Sequence, residues 1–335
     1  MKEKRSNDAG NILEISHLNN FYDNGHGMGR RKKGKQVLQD VSLCIRRNEF
    51  FGLVGESGCG KSTLRNAVLG LIPFEGSVKL AGEESSQMSR LRRTSVVQAV
   101  FQDPMSSLNP RKTIGFTMRE PLRAHRIGTP AQQEEAVRRM LERVGLDAGY
   151  ALRYPGELSG GQRQRVCIGA SLMLEPELVI ADEAVSALDV SVGAQILNLF
   201  QEIHEQRNFS MLFISHNMNV VYYLCDRIAV MYRGRIVEQG TAEEVYHHPV
   251  HPYTKLLLSS VPDWNARIED DGTASIEELQ RQGMGLEVDR EDPAGACGFY
   301  HRCPAASEKC LQCPEMRNAA PEGGEEHLVL CSNFG

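Results

Sequence analysis

The residues with the clearest chemistry are Gly55-Glu56-Ser57-Gly58-Cys59-Gly60-Lys61-Ser62-Thr63. Their spacing is G-x-x-x-x-G-K-[ST], and both flanks suit that pattern. Phe50-Phe51-Gly52-Leu53-Val54 precedes it as a short apolar strand. Leu64-Arg65-Asn66-Ala67-Val68-Leu69 follows it as a run of helix formers. Glycines let successive backbone N–H groups converge on phosphate oxygens without Cβ clashes. The helix start adds unpaired N–H donors and a positive dipole end. Lys61 is placed to reach the outer phosphates of a nucleotide, and Ser62 to put its hydroxyl on Mg2+. An ordinary glycine-rich turn would have no need of the Lys-Ser pair.

A second glycine signal, Leu158-Ser159-Gly160-Gly161-Gln162, opens a helical run from Arg163 to Leu174 that Pro176 stops. Leu178-Val179-Ile180-Ala181-Asp182-Glu183 reads as a buried strand ending in two carboxylates. Met211-Leu212-Phe213-Ile214-Ser215 reads as another, with His216 at its end. Continuous apolar runs suit central parallel strands covered on both faces. Ligands bind at the carboxyl ends of such strands, which is where these three polar residues fall.

Other elements must position these groups. Ile12-Leu13-Glu14-Ile15 starts a strand that runs on to Tyr22, and Val37 to Ile45 returns beside it. The basic run Arg30-Arg31-Lys32-Lys33-Gly34-Lys35 between them reads as a solvated hairpin loop. Phe74 to Gly82 gives a turn and a short strand. Ser95 to Phe101 gives another, ending at Gln102-Asp103-Pro104. Pro130 to Gly145 is a helix with Val137, Met140, Leu141 and Val144 on one face. Val192, Ile196, Leu199, Phe200 and Ile203 stripe a further helix. Arg227 to Met231 and Arg235 to Glu238 flank the hairpin signal Arg233-Gly234. Cys44, Cys167 and Cys225 sit in apolar runs and read as small core residues.

The chain has 335 residues, 41% hydrophobic and 24% charged, the balance of a globular protein of one large domain plus an appendage. A net charge of −5 gives no reason to expect a nucleic-acid partner. The first residues lack the apolar core of a signal peptide, and no apolar run approaches the ~18 residues of a membrane span. The expectation is therefore a protein of the cytoplasm. In that compartment nine cysteines are thiols or metal ligands rather than disulfides. Asp263 to Asp292 is acidic, poor in large apolar residues, and reads as a loose linker. Cys297, Cys303, Cys310, Cys313 and Cys331 crowd the segment beyond it.

In this order the pieces resemble an ABC-type ATPase subunit, over about Ile12 to Pro262. Gly55 to Ser62 match its phosphate loop, Gln102 its Q-loop glutamine, and Leu158 to Gln162 its LSGGQ signature. Asp182 matches the second acidic motif, Glu183 the catalytic acid, Ser186-Ala187-Leu188-Asp189 the D-loop, and His216 the switch histidine. The Gly55 to Gly60 sequence, Phe101 to Pro110, and His251-Pro252-Tyr253-Thr254-Lys255-Leu256-Leu257 are similar to the oligopeptide, dipeptide and nickel importer branch. Cys297-Gly298-Phe299-Tyr300-His301-Arg302-Cys303-Pro304 resembles that branch's C-terminal region. Ala184-Val185 departs from the usual Pro-Thr and is similar to some nickel-type subunits.

The resemblance implies an α/β fold: a P-loop NTPase core of RecA type, an antiparallel β subdomain and a helical signature subdomain at about 103–175. Residues 1–262 form the ATPase domain and 263–335 a linker and Cys-rich extension. It implies two such subunits, alike or different, sandwiching two nucleotides. Each site joins one phosphate loop to the other subunit's Ser159, Gly160, Gly161 and Gln162, with Asp189 alongside. Tyr22 is the implied adenine-stacking residue. Asp182, with Ser62 and Gln102, serves Mg2+, for which hard oxygen ligands are suited. Glu183 polarises the attacking water, and His216 bonds the γ-phosphate or that water. The resemblance places this subunit peripherally on the cytoplasmic face of the membrane, where two transmembrane permease subunits, and indirectly an extracytoplasmic solute-binding protein, complete an importer for peptides, or alternatively for nickel or a metal chelate. The segment from Gln102 to about His125 is expected to touch the permease, with Met118 and Leu122 as positions to probe.

A soluble ABC ATPase acting on DNA or ribosomes is the reading from another class. It expects two ATPase halves, or a long insertion between Lys61 and Ser159, and the sequence has neither. A purely regulatory nucleotide module would not need Glu183 and His216. In the tail, dense thiols point to a soft metal, either zinc or an iron–sulfur cluster. The resemblance implies Cys297, Cys303, Cys310 and Cys331 as ligands of a [4Fe–4S] cluster, with Cys313 spare.

Overall fold

A computed structural model describes residues 10–22, 34–259, 295–320 and 324–333. Two sheets carry the fold. The smaller is antiparallel, with β1 (Asn11–Tyr22), β2 (Lys35–Arg46), β4 (Glu75–Leu80) and β5 (Glu83–Glu84) in the order β2-β1-β4-β5. The larger contains β3 (Phe50–Val54), β6 (Val97–Val100), β7 (Leu178–Asp182), β8 (Ser210–Ser215), β9 (Arg227–Tyr232), β10 (Arg235–Thr241), β11 (Arg317–Asn318) and β12 (Leu328–Val329). Its order is β11-β12-β10-β9-β3-β8-β7-β6. The five strands from β9 to β6 in that order are parallel, and β10, β12 and β11 extend the sheet antiparallel.

Alternation along the parallel strands makes two cores. On β8, Met211 and Phe213 face one cluster while Leu212 and Ile214 face the other. On β7, Val179 and Ala181 go with the first pair, and Leu178 and Ile180 with the second. One core joins the large sheet to the antiparallel sheet through Leu13, Ile15, Leu38 and Val78. The other receives most of the helices, whereas Leu64, Ala67 and Val68 after the glycine loop, and Val96, pack into the core shared with the antiparallel sheet.

The α-helices among the described residues are α1 (Lys61–Val68), α2 (Arg90–Val96), α3 (Pro104–Ser107), α4 (Ile114–Ala124), α5 (Pro130–Arg143), α6 (Gly160–Leu172), α7 (Val190–Arg207), α8 (Met218–Leu224), α9 (Ala242–His247) and α10 (Pro252–Ser259). Thr129 and Gln132 close a capping box that starts α5, with Pro130 at its first position. The expected apolar face of Val137, Met140 and Leu141 is buried.

Local chemistry changes two readings. Ser89 accepts the Arg92 N–H and caps α2, so Ser95 and Val96 are helical and the strand is only Val97–Val100. Helix α4 was not legible, because Pro121 lies inside it. Its signals are Thr113, which caps it by accepting the Phe116 N–H, and buried Ile114, Met118 and Leu122 at i, i+4 and i+8. The linker 263–292 and most of the basic run 30–35 lie outside the described residues.

The C-terminal segment is built into the large sheet. Glu238 pairs with Val329 and Gln239 with Leu328, and the Leu330 N–H donates to the Val237 carbonyl at 2.8 Å. Phe299 is 1% exposed and belongs to the helical-side core. This segment therefore borrows a core rather than lacking one.

Candidate active site

Strand β3 delivers the chain to the glycine loop, and α1 leaves it. Gly58 and Gly60 take φ of 79° and 117°, a backbone that L side chains rarely adopt. Lys61 is buried, and its Nζ donates to the Gly55 and Glu56 carbonyls at 2.6 and 2.9 Å. The Glu56 N–H donates to the Tyr253 hydroxyl at 2.9 Å. Ser57 and Ser62 are exposed, and Thr63 is buried. Cys59 is buried in the apolar core, and burial pushes its thiol pKa up despite the nearby Lys61. It is a packing residue, not a thiolate.

Parallel pairing of β7 with β8 sets their carboxyl ends side by side. Asp182 is buried and ion-paired with Arg65 of α1. Burial raises its pKa, outweighing Arg65. This is a hard-oxygen donor set with Ser62 of the same helix start, and its chemistry fits Mg2+. Glu183 takes φ of 47°, while its N–H donates to the Ile214 carbonyl at 2.9 Å. A left-handed, non-glycine residue at a strand end is a strained position of the kind found at functional sites. The turn aims its carboxylate between two partners. Gln102 Nε2 donates to Glu183 Oε2 at 2.9 Å, and His216 Nδ1 lies 3.3 Å from Glu183 Oε1.

Ser159 caps α6 by accepting the Gln162 N–H at 3.3 Å, and Gln162 Oε1 accepts the Ser159 N–H at 2.9 Å. Gln162 Nε2 also donates to the Tyr150 hydroxyl at 2.9 Å. Ser159 and Gly160 are exposed at this helix start, and Gly161 is half-buried. Asp189 caps α7 by accepting the Val192 N–H, a bond that lowers its pKa. Tyr22 ends β1 about half exposed. Thus Gln102, Glu183 and His216 meet, as do Arg65 and Asp182. Sequence reasoning missed Arg65, Tyr150 and Tyr253. Only Arg65 carried a signal, being one helical turn beyond Lys61.

A cleft of about 590 Å3 opens between the end of the large sheet and the helical segment. Leu91, Phe101, Leu108, Thr117, Glu120 and Pro121 are among its walls. Leu91 and Phe101 are exposed apolar side chains at this place. Met118 and Leu122, chosen above as probe positions, are instead buried under α4. Glu120 and Ala124 are the exposed positions of that helix beside the cleft.

None of the nine cysteines is in a disulfide. The Cys297 N–H donates to the Cys310 carbonyl at 2.9 Å. Burial pushes the Cys297 and Cys303 thiols up to about 11 and about 12, and the neighbouring thiols Cys310 and Cys331 add to both. Cys313 also neighbours Cys297 and raises its thiol, while Arg235 Nη1 lies 3.3 Å from the Cys313 sulfur. The donor chemistry fits a soft metal. Among the described residues, however, no three His, Cys, Asp or Glu groups are closed into a metal-holding arrangement. No helix among them is long and apolar enough to cross a membrane.

Comparison with known proteins gives the chain's family and relatives. Residues 38–186 match the family model "ABC transporter", and residues 237–310 match "Oligopeptide/dipeptide transporter, C-terminal region". The oligopeptide transport ATP-binding protein AppF of Bacillus subtilis is 43% identical over 327 residues, covering 96% of each chain. OppF of Salmonella typhimurium, of the same description, is 40% identical over 330 residues, 96% of this chain and 95% of that one. Among solved structures, a dimeric post-hydrolysis state of the ATP-binding cassette MJ0796 with ADP and Pi superposes with a TM-score of 0.61 at 26% identity, covering 69% of this chain and 99% of that one. CbiO1 from Clostridium perfringens shares the fold, with a TM-score of 0.63 at 24% identity over 78% and 96% of the two chains.

Proposed function

This chain belongs to the ABC transporter family, and on that premise we propose that it is the ATP-hydrolysing subunit of a peptide importer. The observation that carries hydrolysis is the Glu183 carboxylate held between Gln102 and His216. A bound nucleotide lies with its phosphates on the 55–63 loop, and Lys61 exchanges its loop carbonyls for phosphate oxygens. Glu183 orients and deprotonates the attacking water. Gln102 and His216 hold that carboxylate in one orientation, and His216 supplies a further hydrogen bond to the reacting centre. The reaction is in-line attack on the γ-phosphate, helped mostly by positioning and charge. Mg2+, held through Ser62, Gln102 and Asp182, neutralises developing phosphate charge when bound.

Ser159 and Gly160 offer helix-start donors that the chain leaves exposed. They serve the nucleotide of a second ATPase subunit, with Asp189 beside them and Tyr22 stacking on adenine. Residues 1–262 act as the ATPase domain, and the cleft beside Leu91 and Phe101 receives a cytoplasmic segment of a permease. The subunit is then peripheral to the membrane. For the tail the reading is a soft-metal site of Cys297, Cys303, Cys310 and Cys331, as a [4Fe–4S] cluster in preference to zinc. Cys313, already partnered by Arg235, stays outside it.

The test is reconstitution of the native complex in vesicles with its solute-binding protein. Mg2+-dependent ATPase activity stimulated by peptides is expected. Stimulation by nickel or a metal chelate alone would overturn the peptide assignment, and no ATPase activity would overturn the catalytic one.

A further inference from the structure

Glu56 sits inside the phosphate loop, and a carboxylate there repels a polyphosphate unless something neutralises it. That something is Arg302, from the Cys-rich segment 246 positions away in the chain. Its Nη1 and Nη2 donate to Glu56 Oε2 and Oε1, both at 3.0 Å, a bidentate fork. The Arg302 side chain is 10% exposed against 43% for Glu56. Its guanidinium carbon lies 5.6 Å from the ring centres of both Tyr232 and Phe299. Phe299 in turn packs on Tyr232 and Tyr253 at ring distances of 5.2 and 5.6 Å. Tyr253 is the residue whose hydroxyl takes the Glu56 N–H. Glu56 is thus gripped at its backbone from α10 and at its carboxylate from the tail. Its carbonyl also accepts from Lys61.

We propose that Arg302 is a positioning residue for nucleotide binding: it neutralises Glu56 and turns its carboxylate away from the phosphates, so that the C-terminal segment sets the affinity of the phosphate loop. The proposal rests on the reading of residues 55–63 as that loop. Because the Glu56 carboxylate belongs to the loop itself, the effect of the pair is read in ATP affinity. Removing Arg302 leaves one uncompensated negative charge beside the phosphates. Removing Glu56 as well makes Arg302 dispensable.

MgATP affinity of the full chain, measured by titration calorimetry, tests this in wild type, Arg302→Gln, Arg302→Lys, Glu56→Gln and the Glu56→Gln/Arg302→Gln pair. Arg302→Gln is expected to weaken affinity roughly tenfold, the scale of one charge within about 10 Å at an effective dielectric constant of about 20. Arg302→Lys keeps the charge and is expected to lose less. The double variant is expected to return to within about twofold of wild type, a recovery that a merely loosened tail could not give. In the assembled transporter, Arg302→Gln raises KM for ATP and leaves kcat nearly unchanged. Unchanged affinity in Arg302→Gln, or no recovery in the double variant, overturns the proposal while leaving the loop assignment intact. Absence of ATP binding by wild type overturns both. If Arg302→Gln and with it the double variant do not fold, Arg302→Lys decides: MgATP affinity equal to that of wild type overturns the proposal.

Discussion

Gln102 donates its side-chain N–H to Glu183 at 2.9 Å, across the ends of the neighbouring strands β6 and β7. Gln102 is also the point where the chain leaves the sheet for the helical segment. A shift of that segment therefore reaches the carboxylate through one hydrogen bond. The bond ties the chemistry to the part of the protein beside the proposed permease cleft.

Glu183→Gln tests the carboxylate. The amide oxygen still accepts from Gln102, but the side chain can no longer take a proton from water. ATP binding is expected to persist while hydrolysis in the assembled transporter slows by ~10²–10⁴-fold, the range for a lost general base. Single-turnover hydrolysis alongside nucleotide binding measures the two effects separately. A rate near that of wild type would remove Glu183 from its role.

The motifs proposed to touch phosphate were legible because their chemistry is local. A glycine loop, a helix cap and an acid at a strand end each declare themselves within a few residues. The strand assignments followed from apolar runs that both faces of a sheet must bury, as Leu178–Asp182 and Ser210–Ser215 do. What stayed hidden is non-local. Arg65 lies one helical turn beyond Lys61, but its partner Asp182, 117 positions on, cannot be read from that local spacing. Nothing near Phe299 announces that it enters the ATPase core. Helix α4 was masked by Pro121, and with it the burial of Met118 and Leu122.

That burial redirects the permease test. Cysteines replacing Glu120 and Ala124, both exposed on α4 beside the cleft, are expected to crosslink to a cytoplasmic loop of the permease in the assembled complex. Cysteines on the exposed helix α5, at Glu134 or Arg138, serve as the comparison. Crosslinks from α5 with none from α4 would move the contact away from the cleft.

His251 makes stability depend on pH. It is 1% exposed, its Nδ1 accepts the Tyr253 N–H at 3.1 Å, and its own N–H donates to the Glu238 carboxylate. Burial lowers its pKa to about 4 from 6.5, with Glu238 opposing the shift. Between those values the unfolded chain binds a proton that the folded chain refuses. Stability is therefore full above pH 6.5 and falls as pH drops toward 4, by about 3 kcal/mol in total for this group. His251→Asn keeps an acceptor at the start of α10 and does not titrate. Its urea midpoint is expected to change less than that of wild type between pH 6.5 and 4. Parallel curves would mean that another group carries the acid sensitivity.

The cysteines of the tail give the last test. Cys297 and Cys303 are half-buried thiols whose neighbours include Cys310 and Cys331, so ionising these two without a cation is costly. A soft metal held by the four proposed ligands would supply the missing positive charge. Metal should therefore tighten this segment against β10 and the Phe299 pocket, and chelation should loosen it. Anaerobically purified full-length protein is expected to carry iron and acid-labile sulfide. Zinc without sulfide would replace the cluster with a zinc site, and a metal-free segment that is already rigid would remove both. Hydrogen exchange of backbone amides 297–313, before and after chelation, reads that rigidity directly. Changing Cys297, Cys303, Cys310 or Cys331 to serine is expected to release metal and raise exchange. Cys313→Ser is expected to retain it, since the Cys313 sulfur faces Arg235. Metal loss in Cys313→Ser, with retention in Cys331→Ser, would exchange the two ligands.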